Sequence, residues 1–279
     1  MILPRPLKSQ FKLWKRLENA NARREAGLFL AEGFKVASEL LKSHWKTKAL
    51  LVMEEKKDHW HSFLAGIPKG QEVYAVTADE WGKLSQDKNP EGIMAIAALP
   101  CRADVSLLPD AGHILLAYRI NNPNNLGSLM RTAHWFGFGA ILLSKDSVDY
   151  TNPKAVRTSM GSLFHLTVIS DVDFAKAIPE IKERYFLVAS NVKKGDTPHP
   201  CPQKTALLMG SESHGLPGSL TELADEKWRI PGVIGAESLS LPQAAAIMMY
   251  EASKRNHLSL PLLSKGGKYE VPLCKETVS

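Results

Sequence analysis

The chain has 279 residues, enough for two modest domains or one large one. Hydrophobic residues make up 44% and charged residues 23%, a balance that excludes disordered and fibrous chains. The formal net charge of +6 favours polyanionic partners, nucleic acid foremost.

No apolar run is long enough to span a bilayer. The opening MILPRPLKSQFKLWKRL lacks the apolar core and cleavage site of a secretory signal. A soluble, cytoplasmic protein without membrane contact is expected. Three cysteines, Cys101, Cys201 and Cys274, stand far apart without CxxC spacing, which argues against a disulfide framework or a zinc site. No metal is expected.

The N-terminal stretch carries Arg5, Lys8, Lys12, Lys15, Arg16, Arg23 and Arg24, with Glu18 as the one acid among them. Phe11, Trp14 and Leu17 recur within it at helical spacing, so one face packs while the basic face stays wet. Lys12, Lys15, Arg16, Arg23 and Arg24 are the expected phosphate contacts. Strand-like and helix-like runs then alternate. Leu28 to Leu30 is apolar, Glu32 to Lys42 reads as a helix, and Leu50–Met53 and Val73–Val76 read as strands. Thr77 and Glu80 form a capping box, and Ile93 to Ala98 reads as a buried strand. This pattern argues for a small α/β domain over residues 1–104. Pro100 to Gly112, with Pro100, Pro109, aspartates and a Gly, marks the boundary.

A second domain is expected over 112–256. Its strand candidates are Ile114–Tyr118, Ile141–Ser144, Phe164–Ile169, Tyr185–Ala189 and Thr205–Met209, nearly all apolar, as in a parallel sheet covered on both faces. Leu241 to Arg255 is a final helix rich in Ala and Met. The tail, 257–279, holds prolines and a Gly-Gly pair without clear period and reads as a surface extension or a disordered segment.

Three segments carry chemistry. In the first, Asn121 to Ala133, asparagines with Pro123 and Gly127 follow a strand and open a helix, exposing backbone N–H groups, with Arg131 about one turn inside. In the second, Leu207 to Pro217, a strand ending in Met209 runs into a Gly-flanked loop with Glu212. Gly210 there allows close backbone approach, and carboxyl ends of parallel strands are where open α/β sheets bind ligands. In the third, Trp228 to Ala246, a short strand leads through Ile230 and a Gly-bearing loop to Ser238, Leu239 and Ser240. Ser238 or Ser240 is a natural N-cap, and Pro242 suits an early helical position.

In this order the three segments resemble the SpoU (TrmH) family of SPOUT RNA methyltransferases. They match N-x-G-x-x-x-R-T-A, then G-x-E-x-x-G-L, then I-P followed by E-S-L and an Ala-rich helix. SVDYTNPKAVRTSMGSLF, residues 147–164, resembles the family's connecting region, and FLAEGFKVASELL resembles the ribosomal-protein-like substrate-binding domain that often precedes it. The resemblance implies a parallel α/β domain with a deep trefoil knot, a homodimer, and transfer of a methyl group from S-adenosylmethionine to a ribose 2′-hydroxyl of ribosomal or transfer RNA.

It further implies Gly210, Ile230, Leu239, Met209 and Ser240 as cofactor contacts, and Arg131, Asn125, Glu212 and Ser238 as catalytic residues. A guanidinium is practically never deprotonated, which favours phosphate positioning and alkoxide stabilisation for Arg131 over the role of base. One position departs from the family: Ser240 stands where Asn is usual. That substitution keeps an alternative open, a catalytically silent RNA-binding relative.

Overall fold

The computed structural model describes residues 2–110, 112–201, 204–233 and 238–257, with side chains to 254 in the last helix. Most of the expected tail therefore lies outside the described residues. The chain forms two compact units, one of residues 1–100 with 151–164, the other of 101–150 with the residues from 165 onward.

The first unit begins with helices α1 (Lys8–Arg16) and α2 (Ala20–Ala26). Strand β1 (Leu28–Glu32), α3 (Phe34–Lys42), β2 (Thr47–Met53), α4 (His61–Ala65), β3 (Val73–Val76), α5 (Ala78–Trp81) and β4 (Ile93–Ala98) follow. The sheet order is β1-β4-β2-β3, with β4 antiparallel to both neighbours and β2 parallel to β3. Trp14 and Leu17 are buried and Phe11 packs beside them, so the apolar stripe of α1 faces the core. The Thr77 box forms: Glu80 N–H donates to Thr77 Oγ1 at 3.2 Å, and Thr77 N–H to Glu80 Oε2 at 2.9 Å. Glu32, expected to open a helix, instead ends β1. Gly33, at φ +108°, turns the chain, and α3 starts at Phe34. Glu32 is buried against Trp81 Nε1 (3.3 Å), Ser85 and Arg157 (3.8 Å), and burial raises its pKa.

Arg23 corrects the reading of the basic N-terminus. It is 1% exposed: its Nε donates to Thr151 Oγ1 at 3.0 Å, and its Nη1 donates to the carbonyls of Leu17 and Glu18 at 3.0 and 2.8 Å. A guanidinium so enclosed is withheld from RNA and holds the α1–α2 corner instead. Arg16 pairs with Glu25 at 3.0 Å and Arg5 with Glu54 and Glu80, whereas Lys12, Lys15 and Arg24 stand exposed.

Residues 151–164, which fall inside the 112–256 span in sequence, pack into this first unit. Arg157 bridges Asp87 at 2.9 Å and Glu32, and Phe164 stacks on Phe29 and meets Trp45 edge-on. Phe164 consequently does not start a strand. Ser162–His165 is a short 3-10 turn, and the strand expected there runs from Thr167.

The second unit holds β5 (His113–Ala117), α6 (Pro123–Trp135), β6 (Phe138–Ser144), β7 (Thr167–Val172), α8 (Phe174–Lys182), β8 (Phe186–Ser190), β9 (Thr205–Met209), α9 (Gly218–Thr221), β10 (Glu226–Trp228) and α10 (Leu241–His257). Helix α7 (Pro153–Thr158) belongs to the first unit. The six strands are ordered β10-β8-β9-β5-β6-β7 and every pair is parallel. Every residue of β5 and β9, the central pair, is buried, as expected of a sheet covered on both faces.

Candidate active site

Parallel pairing sends the carboxyl end of every strand to one edge of the sheet. The loops after β10, β8, β9 and β5 therefore emerge side by side, although they are far apart in sequence. They carry Ile230, residues 191–196, Gly210 with Glu212, and the approach to Asn125, respectively. Tyr118 N–H donates to the Met209 carbonyl at 2.8 Å, tying the exits of β5 and β9.

The second segment is a closed loop. Ser211 and Gly215 pair across it, with Gly215 N–H donating to Ser211 O at 2.9 Å and Gly215 at φ +64°. A Cβ on Gly210 would stand 2.3 Å from the Gly215 carbonyl carbon and 2.6 Å from Leu216 N. The glycine is thus required first by the loop's own backbone. Glu212 projects from the loop and accepts the Leu241 N–H at 3.1 Å. Leu241 opens α10, so this bond joins the second segment to the third and places a carboxylate at a helix N-terminus, where negative charge is favoured. Ser240 is the residue before the helix. Its N–H donates to Gln243 Oε1 at 3.2 Å, and its carbonyl accepts from Ala244 N–H. Ser and Asn both suit that position. Ser238, Leu239 and Ser240 are exposed, while residues 234–237 of the same segment lie outside the described residues.

The first segment starts α6 as its residues dictate. Asn122 caps it by accepting Asn124 N–H at 2.9 Å, and Pro123 sits at the first position. Arg131 is eight residues beyond Pro123, roughly 12 Å along the helix at 1.5 Å per residue, deeper than the one turn expected from sequence. It is exposed, and no hydrogen bond or ion pair engages it among the described residues. Asn125 is half-buried and does not bond to Arg131. Six residues apart on a helix, the two point about 120° from one another.

Two features were not anticipated. Residues 191–196 curl round β10: Asp196 N–H donates to Lys227 O and Arg229 N–H to Asp196 O, both at 2.8 Å. An added Cβ on Gly195 would stand 2.4 Å from Lys227 O. Asn191 Oδ1 accepts from the N–H groups of Lys193 and Lys194. This loop lies between those of the second and third segments. The signal in sequence was Asn191 with Gly195 after an apolar strand.

The second feature is the exit of β5. Arg119 sits in the left-handed region at φ +53°. For a residue with a side chain this costs roughly 1–2 kcal/mol. Its N–H donates to the buried Ser144 Oγ at 2.8 Å, and Ile120 N–H to Ser147 Oγ at 3.2 Å.

On the segment that follows β10, Val233 and Leu239 leave large apolar side chains exposed.

The SpoU rRNA Methylase family model matches residues 112–250, and the MRM3-like substrate binding domain matches residues 8–95. The 23S rRNA (guanosine(2553)-2′-O)-methyltransferase RlmP of Bacillus subtilis is 29% identical over 242 residues, covering 86% of this chain and 94% of the relative. The 23S rRNA (uridine(2479)-2′-O)-methyltransferase of Streptomyces viridochromogenes is 27% identical over 260 residues, covering 88% and 90%. The crystal structure of the SpoU methyltransferase AviRb from Streptomyces viridochromogenes in complex with AdoMet superposes with a TM-score of 0.78 at 26% identity, covering 91% of this chain and 99% of that one.

Proposed function

We propose that this chain, which belongs to the SpoU rRNA methylase family, methylates a ribose 2′-hydroxyl of structured ribosomal RNA with S-adenosylmethionine as donor. The observation that carries the reading is the convergence of the three segments on one sheet edge, with Glu212 bonded to the start of α10. Backbone groups around Met209, Gly210, Ile230, Leu239 and Ser240 hold the cofactor, which supplies an electrophilic methyl group when bound. No metal is needed for such a transfer, and among the described residues no cluster suited to one occurs.

Arg131 holds a substrate phosphate and stabilises negative charge developing on the ribose oxygen. Asn125 orients the ribose, Ser238 completes the polar lining, and Glu212 keeps the second and third segments in register. Lys12, Lys15, Arg16 and Arg24 on the first unit contact RNA phosphates, a sequence-independent grip suited to structured RNA.

The active form is a homodimer with its site beside the interface. Trp135, 79% exposed, lies one turn beyond Arg131 on the same face of α6, and Tyr250 and Ile247 of α10 are also exposed. Phe136 and Tyr250 rings, 5.9 Å apart, join the two helices. An apolar patch of this kind on a soluble protein marks an interaction surface. A trefoil knot accords with the tight backbone passages at Gly195 and Gly210. No helix among the described residues is long and apolar enough to cross a membrane, and we place the enzyme in the cytoplasm with its RNA.

Mapping 2′-O-methyl marks across ribosomal and transfer RNA from cells with and without the protein tests the activity. One or more ribosomal marks should vanish with the protein. Intact marks, together with RNA binding by the purified chain, would establish instead a silent RNA-binding relative.

A further inference from the structure

We propose that Arg119 is a substrate-positioning residue, its guanidinium taking a backbone phosphate of the RNA next to the target ribose. The inference rests on the methyltransferase reading above and adds a contact that none of the three segments contains.

Arg119 occupies a backbone conformation in which glycine is at ease and a side chain is not. The loop does not need that side chain. Its anchors are backbone groups: Arg119 N–H to Ser144 Oγ, Ile120 N–H to Ser147 Oγ, and Val148 N–H to Ile120 O at 2.7 Å. A glycine would supply the same donor at position 119. Nor do local partners account for the arginine. Its contact with Asp146 is 3.5 Å long, between groups 54% and 73% exposed, and its carbon Cζ lies 6.0 Å from the Tyr118 ring centre. Both distances are at the outer limit for an interaction, and exposed pairs of this kind contribute little. A strained residue held by its surroundings, with its side chain free of structural duty, points to function.

Position identifies the ligand. Arg119 leaves the carboxyl end of β5 three residues before Asn122 caps α6, the helix that carries Asn125 and Arg131. Its backbone N–H is pinned to the exit of β6 through Ser144 Oγ. The loop of Gly210 flanks β5 on the opposite side, through Met209. The guanidinium therefore lies on the side of the first segment away from the cofactor loops. An arginine fork matches phosphate geometry, and RNA is the phosphate polymer this edge receives.

The test uses the full-length protein and protein-free ribosomal RNA from cells lacking it. RNA binding is measured over a range of salt, alongside S-adenosylmethionine binding, thermal stability and methyl transfer. Loss of one phosphate contact lowers the salt slope by about 0.7–0.9, which at roughly 0.1 M salt is about a five- to eightfold loss of affinity. Arg119→Gly should show that loss with undiminished thermal stability and unchanged cofactor binding. Arg119→Gln should show the same loss with the backbone strain retained, and Arg119→Lys should keep most of the slope. RNA affinity and salt slope unchanged in Arg119→Gly and Arg119→Gln would overturn the assignment, as would a loss accompanied by weaker cofactor binding. The slope is read from binding, not turnover. A wild-type protein that binds RNA without methylating it sinks the activity reading while this comparison still decides Arg119. A wild-type protein that does not bind RNA overturns both.

Discussion

Gly210→Ala tests whether the loop after β9 holds the cofactor. The structure assigns the demand for a glycine there to the loop itself. The added Cβ would lie 2.3, 2.6 and 2.6 Å from three backbone atoms of Gly215 and Leu216, none of which can rotate away. Relief requires opening the loop by more than about 1 Å, since ordinary carbon contacts lie near 3.5 Å or beyond. Overpacking of this kind costs about 1–3 kcal/mol, and loss of the Gly215 N–H to Ser211 O bond adds about 0.5–1.5 kcal/mol. The substituted loop is therefore disfavoured in its native form by about 1.5–4.5 kcal/mol. At 1.4 kcal/mol per factor of ten, affinity for S-adenosylmethionine should fall by about tenfold to a thousandfold. Calorimetric titration with the cofactor measures this directly. Gly218→Ala is the control, because nothing lies within 4 Å of its added Cβ, and its affinity should match wild type. Equal cofactor affinity in Gly210→Ala and Gly218→Ala would refute the argument and move the cofactor away from this loop.

Arg131→Ala should lower single-turnover methyl transfer by on the order of a hundredfold or more while leaving cofactor affinity intact, and Lys should not restore it, lacking the planar fork. Near wild-type turnover would remove Arg131 from the chemistry. Burial, chiefly, holds the Glu32 carboxyl above its ordinary value of 4.5, so over a window that opens there the native state binds more protons than the unfolded chain, and stability falls as pH rises through it. Replacing it with Gln removes this slope. The melting temperature of Glu32→Gln relative to wild type should rise from about pH 4 toward about pH 7, and a constant difference would show that Arg157 and Ser85 offset the burial.

The parallel sheet was legible because strands such as Leu115–Ala117 and Leu207–Met209 are buried on both faces and read as unbroken apolar runs. The capping box at Thr77 was legible because its two bonds are local. Long-range pairing was not. Arg23 looked like one more cation in a basic stretch, and only the fold brings Thr151, 128 residues away, to its Nε. Phe164 sits in an apolar run that suits a strand, yet its ring is taken by Phe29 and Trp45 of the first unit, to which it belongs. Glu32 follows apolar residues and precedes a helical period, and the conformation of Gly33 decides that the strand includes Glu32 and the helix starts after it.

The same division runs through the site. Motif spacing marks Gly210, Glu212 and Ser240, but spacing cannot say that Glu212 serves the first turn of α10. That bond spans 29 residues and depends on β9 lying next to β5, with β8 and β10 beyond it. The consequence bears on the one departure from the family pattern. Ser240 does its described work through its backbone, giving its N–H to Gln243 and its carbonyl to Ala244. A main-chain role at a helix start tolerates exchange between Ser and Asn. The substitution is therefore a weak argument for a silent enzyme, because the contacts that join the second and third segments do not pass through the side chain that changed.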